Sequence, residues 1–127
     1  MTNQTKKTHD FNDGKGEIAA HQHPNGGGWV ADTAHVDATA YIGPHATVTG
    51  NARVMGSATV TGNARVMGSA TVTGNARVTD DAWVTGNAWV TGNARVMGSA
   101  RVTGNATVTD DAWVAGNARV TGTEERK

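Results

Sequence analysis

The 127-residue sequence has no cysteine, two prolines and few aromatic side chains. Without cysteine, disulfide bonds and thiol chemistry are excluded. The formal net charge is zero, so composition gives no strongly basic surface of the kind that nucleic acid attracts. No apolar run approaches the length of a membrane span, and the polar first ten residues lack the apolar segment of a signal peptide. We therefore expect a cytoplasmic protein without a membrane partner.

Glycine, in contrast, is abundant and recurs with a period of six from about residue 28 to residue 122. Each six-residue unit (hexad) reads Ala-x-Val-x-Gly-Asn, as in residues 58–63 (ATVTGN). Because Ala and Val are two apart, they point to the same side of an extended strand, and the two x residues point outward. Gly-Asn, Gly-Ser or Asp-Asp pairs tolerate positive φ or bond to their own backbone. The pattern predicts short, half-buried strands joined by tight corners.

These short strands are best explained by a solenoid. Apolar spacings of two and four, frequent Val and Thr, and a corner every six residues oppose a helix. Separate hairpins are disfavoured because tight primed turns prefer Asn-Gly, whereas the order here is Gly-Asn. A strand this short cannot bury its apolar side alone, so successive coils must stack about 4.8 Å apart around a strip of Val and Ala.

The pattern Val-x-Gly-Asn-Ala-x resembles the hexapeptide repeat, aliphatic-x-x-x-small-x, of left-handed parallel β-helix proteins. Residues 23–34 (HPNGGGWVADTA) and 41–44 (YIGP) further resemble short hexapeptide-repeat proteins of bacteria and tailed phages. The resemblance implies an all-β, single-stranded left-handed parallel β-helix, with three strands per coil and about five coils. It also implies a homotrimer, located in the host cytoplasm or the virion if the protein is phage-encoded.

Three regions are expected. Residues 1–27 form a polar N-terminal segment in which 1–16 are loosely ordered, with Phe11 as the only large apolar anchor, and 17–21 form a short strand. That strand is predicted to cover the open edge of the first coil. Residues 28–122 form the hexapeptide-repeat β-helix. Residues 123–127 form a charged tail, predicted to blunt the last edge without burying it.

With three hexads per coil, residues eighteen apart stack, so the outward side chains sort onto three faces. The first face carries Trp29, Thr47, Arg65, Trp83, Arg101 and Arg119; the second His35, Arg53, Thr71, Trp89 and Thr107; the third Tyr41, Thr59, Arg77, Arg95 and Trp113. Corner residues 51, 69, 87 and 105 are predicted to form a polar ladder.

The outward tryptophans are the main candidates for function, since monomers rarely expose several large aromatics without use. Trp83 is predicted to lie one rung, that is one stacked strand, from both Arg65 and Arg101. The three side chains form either a cation–π sandwich that stiffens the sheet or a contact with a sister subunit. We therefore predict the Trp83 face as the subunit interface. The candidate binding or interface residues are Trp83, Arg65, Arg101, Arg119, Trp89 and Trp113.

Catalysis and metal binding are less well supported. Resemblance to hexapeptide-repeat acyltransferases implies a catalytic histidine, corner loops and usually a C-terminal helix, but no histidine follows His45 and no loop interrupts the hexads. The carbonic anhydrase branch of these β-helices makes His21, His23 and His35 candidate metal ligands. Solvated or edge-capping histidines are favoured on spacing alone, however. We predict no catalytic residue, no metal and no cofactor.

The sequence thus predicts a non-catalytic structural or binding protein, a rigid shaft presenting Trp and Arg to a sister subunit or a macromolecular partner. Nucleic acid is not the expected partner, because the arginines spread over all three faces and acidic pairs at 80–81 and 110–111 offset them. Two alternatives stay open. One is a minimal acyltransferase with an inter-subunit site, and the other is a sponge that binds small nucleotide-type ligands in subunit grooves.

Overall fold

The computed structural model describes residues 8–10, 17–121 and 125–126, and every regular element among them is a β-strand. The first three strands are β1 (Thr8–Asp10), β2 (Glu17–Gln22) and β3 (Trp29–Ala31). Each later strand has two residues: β4 (His35–Val36), β5 (Tyr41–Ile42), β6 (Thr47–Val48), β7 (Arg53–Val54), β8 (Thr59–Val60), β9 (Arg65–Val66), β10 (Thr71–Val72), β11 (Arg77–Val78), β12 (Trp83–Val84), β13 (Trp89–Val90), β14 (Arg95–Val96), β15 (Arg101–Val102), β16 (Thr107–Val108), β17 (Trp113–Val114), β18 (Arg119–Val120) and β19 (Glu125–Arg126). None of the described segments is a helix able to cross a membrane.

The strands form three sheets, one on each side of the solenoid. The first sheet has the order β1-β2-β3-β6-β9-β12-β15-β18, the second β4-β7-β10-β13-β16-β19 and the third β5-β8-β11-β14-β17. Within the repeat, every neighbouring pair is parallel and joins residues eighteen apart, such as Trp83 with Arg101. The structure confirms the prediction of a parallel β-solenoid with three strands per coil and about five coils.

A backbone hydrogen-bond ladder joins successive coils. The N–H of one residue donates to the carbonyl oxygen seventeen positions later, as for Trp83 to Ala100 at 3.0 Å and Thr85 to Val102 at 2.8 Å. The corner takes part as well, because the N–H of Asn87 donates to the carbonyl of Gly104 at 2.7 Å. Strands of only two residues are therefore stable here because each coil is bonded along its strands and its corners.

The core contains the predicted inward pairs. From Ala46 to Val108 every hexad alanine and valine has no exposed surface, and Ile42 occupies a valine position at the start of the stack. Small side chains are required because three sheets converge on a narrow interior. The outward side chains are consequently free of packing constraints from the core.

The corners from residue 50 to residue 116 have a backbone residue with positive φ. The corner glycines from Gly50 to Gly116 have φ between 65° and 70°, and two aspartates, Asp80 (φ 61°) and Asp110 (φ 58°), adopt the same conformation. Asp tolerates this region better than most residues because its short side chain bonds locally. The carboxylate of Asp80 accepts the N–H of Gly98, one coil further on, at 3.1 Å.

Side-chain ladders run along the corners. In the predicted ladder at residues 51, 69, 87 and 105, the amide of Asn87 donates to Asn105 at 3.3 Å. The other two corners carry equivalent bonds, from Asn63 to Asp81 at 3.2 Å and from Asn75 to Asn93 at 3.3 Å. These exposed bonds align neighbouring corners, which adds modestly to the backbone ladder.

The N-terminal strands cover the first coil. Strand β2 forms where the sequence predicts it and pairs antiparallel with β3, Ala20 opposite Ala31. Strand β1 then pairs antiparallel with β2, so the expectation of loose order is wrong at Thr8–Asp10. The physical reason is that β2 itself has a free edge that another strand can satisfy. Residues 1–7 and 11–16, including the expected Phe11 anchor, lie outside the described residues.

The C-terminal tail also differs from its prediction. Strand β19 pairs parallel with β16, with Glu125 opposite Thr107, so its backbone adds a rung to the second sheet instead of only blunting an edge. Residue 125 lies eighteen positions after residue 107, so the eighteen-residue period of the coils places the tail beside β16. The region boundaries at 27/28 and 122/123 stay predictions.

The stacked corner glycines can be tested with a matched pair. A Cβ added at Gly98 would lie 2.9 Å from the backbone nitrogen of Gly116 in the next coil, whereas one added at Gly116 meets no described atom within 4 Å. Both have nearly the same φ. Gly116→Ala should cost about 1 kcal/mol through φ alone, and Gly98→Ala roughly 1–3 kcal/mol more through overpacking. Urea unfolding measures both variants, and equal costs would contradict the close stacking of corners.

Candidate functional site

Trp83 lies on β12 of the first sheet, between an arginine of β9 and one of β15. The guanidinium carbons of Arg65 and Arg101 lie 5.4 and 4.9 Å from the centroid of the indole ring. These distances are typical of cation–π contacts. The predicted rung order is confirmed, and the side chain of Trp83 is partly buried. The indole therefore already has partners on its own sheet.

Trp113 lies on β17 of the third sheet. The guanidinium carbon of Arg95 is 5.0 Å from its ring centroid, and the side chain remains 60% exposed. One arginine therefore makes a cation–π contact with this ring.

Trp89 lies on β13 of the second sheet and differs from both. Its rung partners are Thr71 and Thr107, and 55% of the side chain is exposed. Among the described residues no guanidinium lies over its ring. The difference follows directly from the repeat, because threonine occupies both positions eighteen residues away.

The three faces also differ in charge. On the first sheet, the described outward positions from β6 onward contain arginines and no acidic residue, and the third sheet carries two adjacent arginines, Arg77 and Arg95. The second sheet carries charged residues at both ends, at Arg53 and around Asp37 in its first two coils and on β19 (Glu125–Arg126), whereas its outward positions on β10, β13 and β16 are uncharged. The acidic pairs at 80–81 and 110–111 lie at corners. The uncharged middle of the second sheet therefore stands beside two faces that carry arginines.

A polar cluster occupies the start of the second sheet. Nε2 of His35 lies 3.0 Å from Oδ1 of Asp37, whose Oδ2 accepts the N–H of Gly56 at 2.9 Å. The Gly56 hydrogen bond, followed by that of His35, lowers the pKa of Asp37. Beside them, His35, Arg53 and Met55 line an open depression of about 320 Å³. The sequence did not identify Asp37 and Met55 as parts of a candidate site, although their positions directly after a hexad valine indicate outward side chains.

The candidate metal ligands do not come together. Nδ1 of His21 lies 2.8 Å from Oδ1 of Asp32 on the exposed surface. His23 is buried, with Nε2 2.9 Å from the carbonyl oxygen of Ala40, to which it donates. The two therefore do not share one exposed face, as an extended segment would have required, because β2 ends at Gln22. Within residues 17–121, no three histidine or acidic side chains are placed to hold a metal ion.

Comparison with known proteins agrees with this architecture. A family model described as the YdcK beta solenoid repeat matches residues 100–116, which contain β15, β16 and β17. This match covers a small part of the chain, and together with the three stacked sheets it supports a hexapeptide-repeat-like β-solenoid. No curated protein and no solved structure gives a significant match. Solenoid membership defines the scaffold, while function must be argued from the side chains on it.

The arginine sandwich predicts a difference in stability between two tryptophans of the solenoid. Trp83→Ala removes two cation–π contacts, each worth about 0.5–1 kcal/mol at an exposed site, whereas Trp89→Ala removes none. Trp83→Ala should therefore lower the free energy of unfolding by about 1–2 kcal/mol more than Trp89→Ala. Urea unfolding at protein concentrations low enough to exclude self-association provides the comparison. Equal losses would show that the arginines do not stabilise the first sheet.

The Asp37 cluster predicts a pH effect. Because the folded-state pKa of Asp37 is lowered, its stabilising contribution is present above the ordinary aspartate pKa and is lost as pH falls through the lowered value. In a carboxyl NMR titration, Asp37 should titrate below the ordinary aspartate range. His35→Ala should raise this midpoint only part of the way, since the Gly56 N–H remains. A midpoint unaffected by His35→Ala would contradict the histidine contribution.

Proposed function

We propose that this solenoid is a non-catalytic structural or binding protein. It acts as a rigid shaft that presents tryptophan and arginine side chains to a sister subunit or a macromolecular partner. The observation that carries the proposal is the exposure of Trp89 and Trp113 on a scaffold whose main core consists of alanine, valine and isoleucine. Tryptophan and arginine are the side chains that protein interfaces favour most.

The assembly we propose is a homo-oligomer, most simply a trimer. Support comes from the resemblance to hexapeptide-repeat proteins and from the three sheets of the shaft, whose outward sides offer extended contact to a second copy. A cytoplasmic or virion location, with phage origin, belongs to the same proposal and rests on the resemblance alone.

Light scattering, with and without coenzyme A and a mixture of nucleotides, tests this function. We expect an oligomer at micromolar concentration whose mass is the same in every sample, because the faces and not a ligand hold the copies together. An oligomer that forms or dissociates only with coenzyme A or a nucleotide would overturn the proposal. That result would favour the acyltransferase or ligand-sponge alternative.

A second candidate function is the binding of a small anionic ligand, favoured by the depression beside His35, Arg53 and Met55. Arg53 could hold a phosphate group there, although Asp37 at the same place opposes an anion. Ligand binding would raise the unfolding temperature without turnover. Arg53→Gln should abolish that increase if the depression is the site.

A further inference from the structure

We infer that copies of this chain meet through the second-sheet face around Trp89, and not through the Trp83 face suggested by sequence. This inference rests on the proposed self-association and specifies its surface. The surface, called the neutral face below, consists of five threonines and one tryptophan: Thr71, Thr73, Trp89, Thr91, Thr107 and Thr109.

Symmetry disfavours the first sheet. In a closed cyclic assembly, side chains that face the symmetry axis meet their own copies. Association through the first sheet would bring Arg65, Arg101 and Arg119 against the same three arginines of each partner. No acidic side chain occupies the described outward positions of that sheet from β6 onward to compensate them. Like charges brought together at an interface are costly.

The aromatic rings differ in availability. Both neighbours of Trp83 on its sheet place a guanidinium over the indole, so a partner at that ring must displace an existing contact. Arg95 similarly occupies Trp113. Trp89 has threonine at both rung positions and leaves 55% of its surface exposed. It is therefore the tryptophan among these three whose burial against a second copy sacrifices no interaction.

The neutral face also has suitable chemistry. Its threonines are half-buried and uncharged, so their association requires no desolvation of an ion, and interface cores are depleted of charge. The chain exposes 6590 Å² in total. One complete side of the solenoid, with the neutral face at its centre and charged residues at both ends, therefore exposes on the order of 1,000 Å², compared with about 800 Å² per partner in a specific interface. A contact between two copies thus extends beyond the neutral face, which forms its uncharged centre.

The decisive variant gives Trp89 on the second sheet the two neighbouring arginines that Trp83 has on the first sheet. In T71R/T107R, arginines occupy the positions eighteen residues on either side of Trp89, as Arg65 and Arg101 do around Trp83. The fold should be retained, because this rung arrangement already exists on the first sheet. The matched control, T47R/T59R, adds the same two charges at half-exposed threonines of the other two sheets.

We expect the wild-type chain and T47R/T59R to have the same oligomeric mass by light scattering, and T71R/T107R to have the 13.1 kDa mass of one chain. A T71R/T107R protein with the wild-type mass would overturn the inference while leaving self-association intact. A wild-type chain of 13.1 kDa at every concentration would overturn the proposed self-association itself. Circular dichroism shows whether each variant is folded. If T71R/T107R loses its β spectrum, the Trp89→Ala variant replaces it, and its mass by light scattering is judged against the same two outcomes.

Discussion

The fold depends on the hydrogen bonds between coils. An isolated two-residue strand has almost no stability, but here N–H groups of the strands and corners donate to carbonyl oxygens seventeen residues later, in the next coil. This ladder requires every coil to have the same length. It also requires corners that allow backbones to stack closely, which is why glycine or aspartate with positive φ recurs at the corners from Gly50 to Gly116. The constant period of six residues is the sequence expression of that constraint.

Much of this architecture can be predicted because the constraint is periodic. The alternation of Ala and Val identifies the inward side, and a coil of eighteen residues assigns Trp83 to the same rung column as Arg65 and Arg101. The partial burial of Trp83 was not predictable from the period, since it depends on how the long arginine side chains fold over the ring.

Features outside the repeat were harder to predict. The burial of His23 depends on a turn that brings the ring to the carbonyl of Ala40, and no spacing rule describes that contact. Strand β2 has a free edge that β1 pairs with, and nothing in the sequence specifies which segment pairs there. The cluster around Asp37 joins a side chain to the backbone of the next coil, a contact visible only once the coils are stacked.

The same constraint leaves the outward positions available for function. Backbone bonds and the Val/Ala core stabilise the shaft whichever side chains point outward, so the three faces can differ in charge and aromatic content. Two faces carry tryptophans paired with arginine, and the third carries Trp89 among threonines. This asymmetry within a nearly uniform repeat is the feature that a function must explain, and the contact that we propose between copies would explain it with no additional ligand.

Solvent exposure of the individual indoles in the native assembly tests this account most directly. Fluorine NMR of protein labelled with fluorotryptophan gives separate signals, which tryptophan-to-phenylalanine variants assign. The shift between light and heavy water reports the water contact of each ring. The account predicts that Trp89 is shielded at concentrations where the protein is assembled and becomes exposed on dilution, while Trp113 stays exposed throughout. A Trp89 ring as accessible as Trp113 in the assembled protein would contradict it.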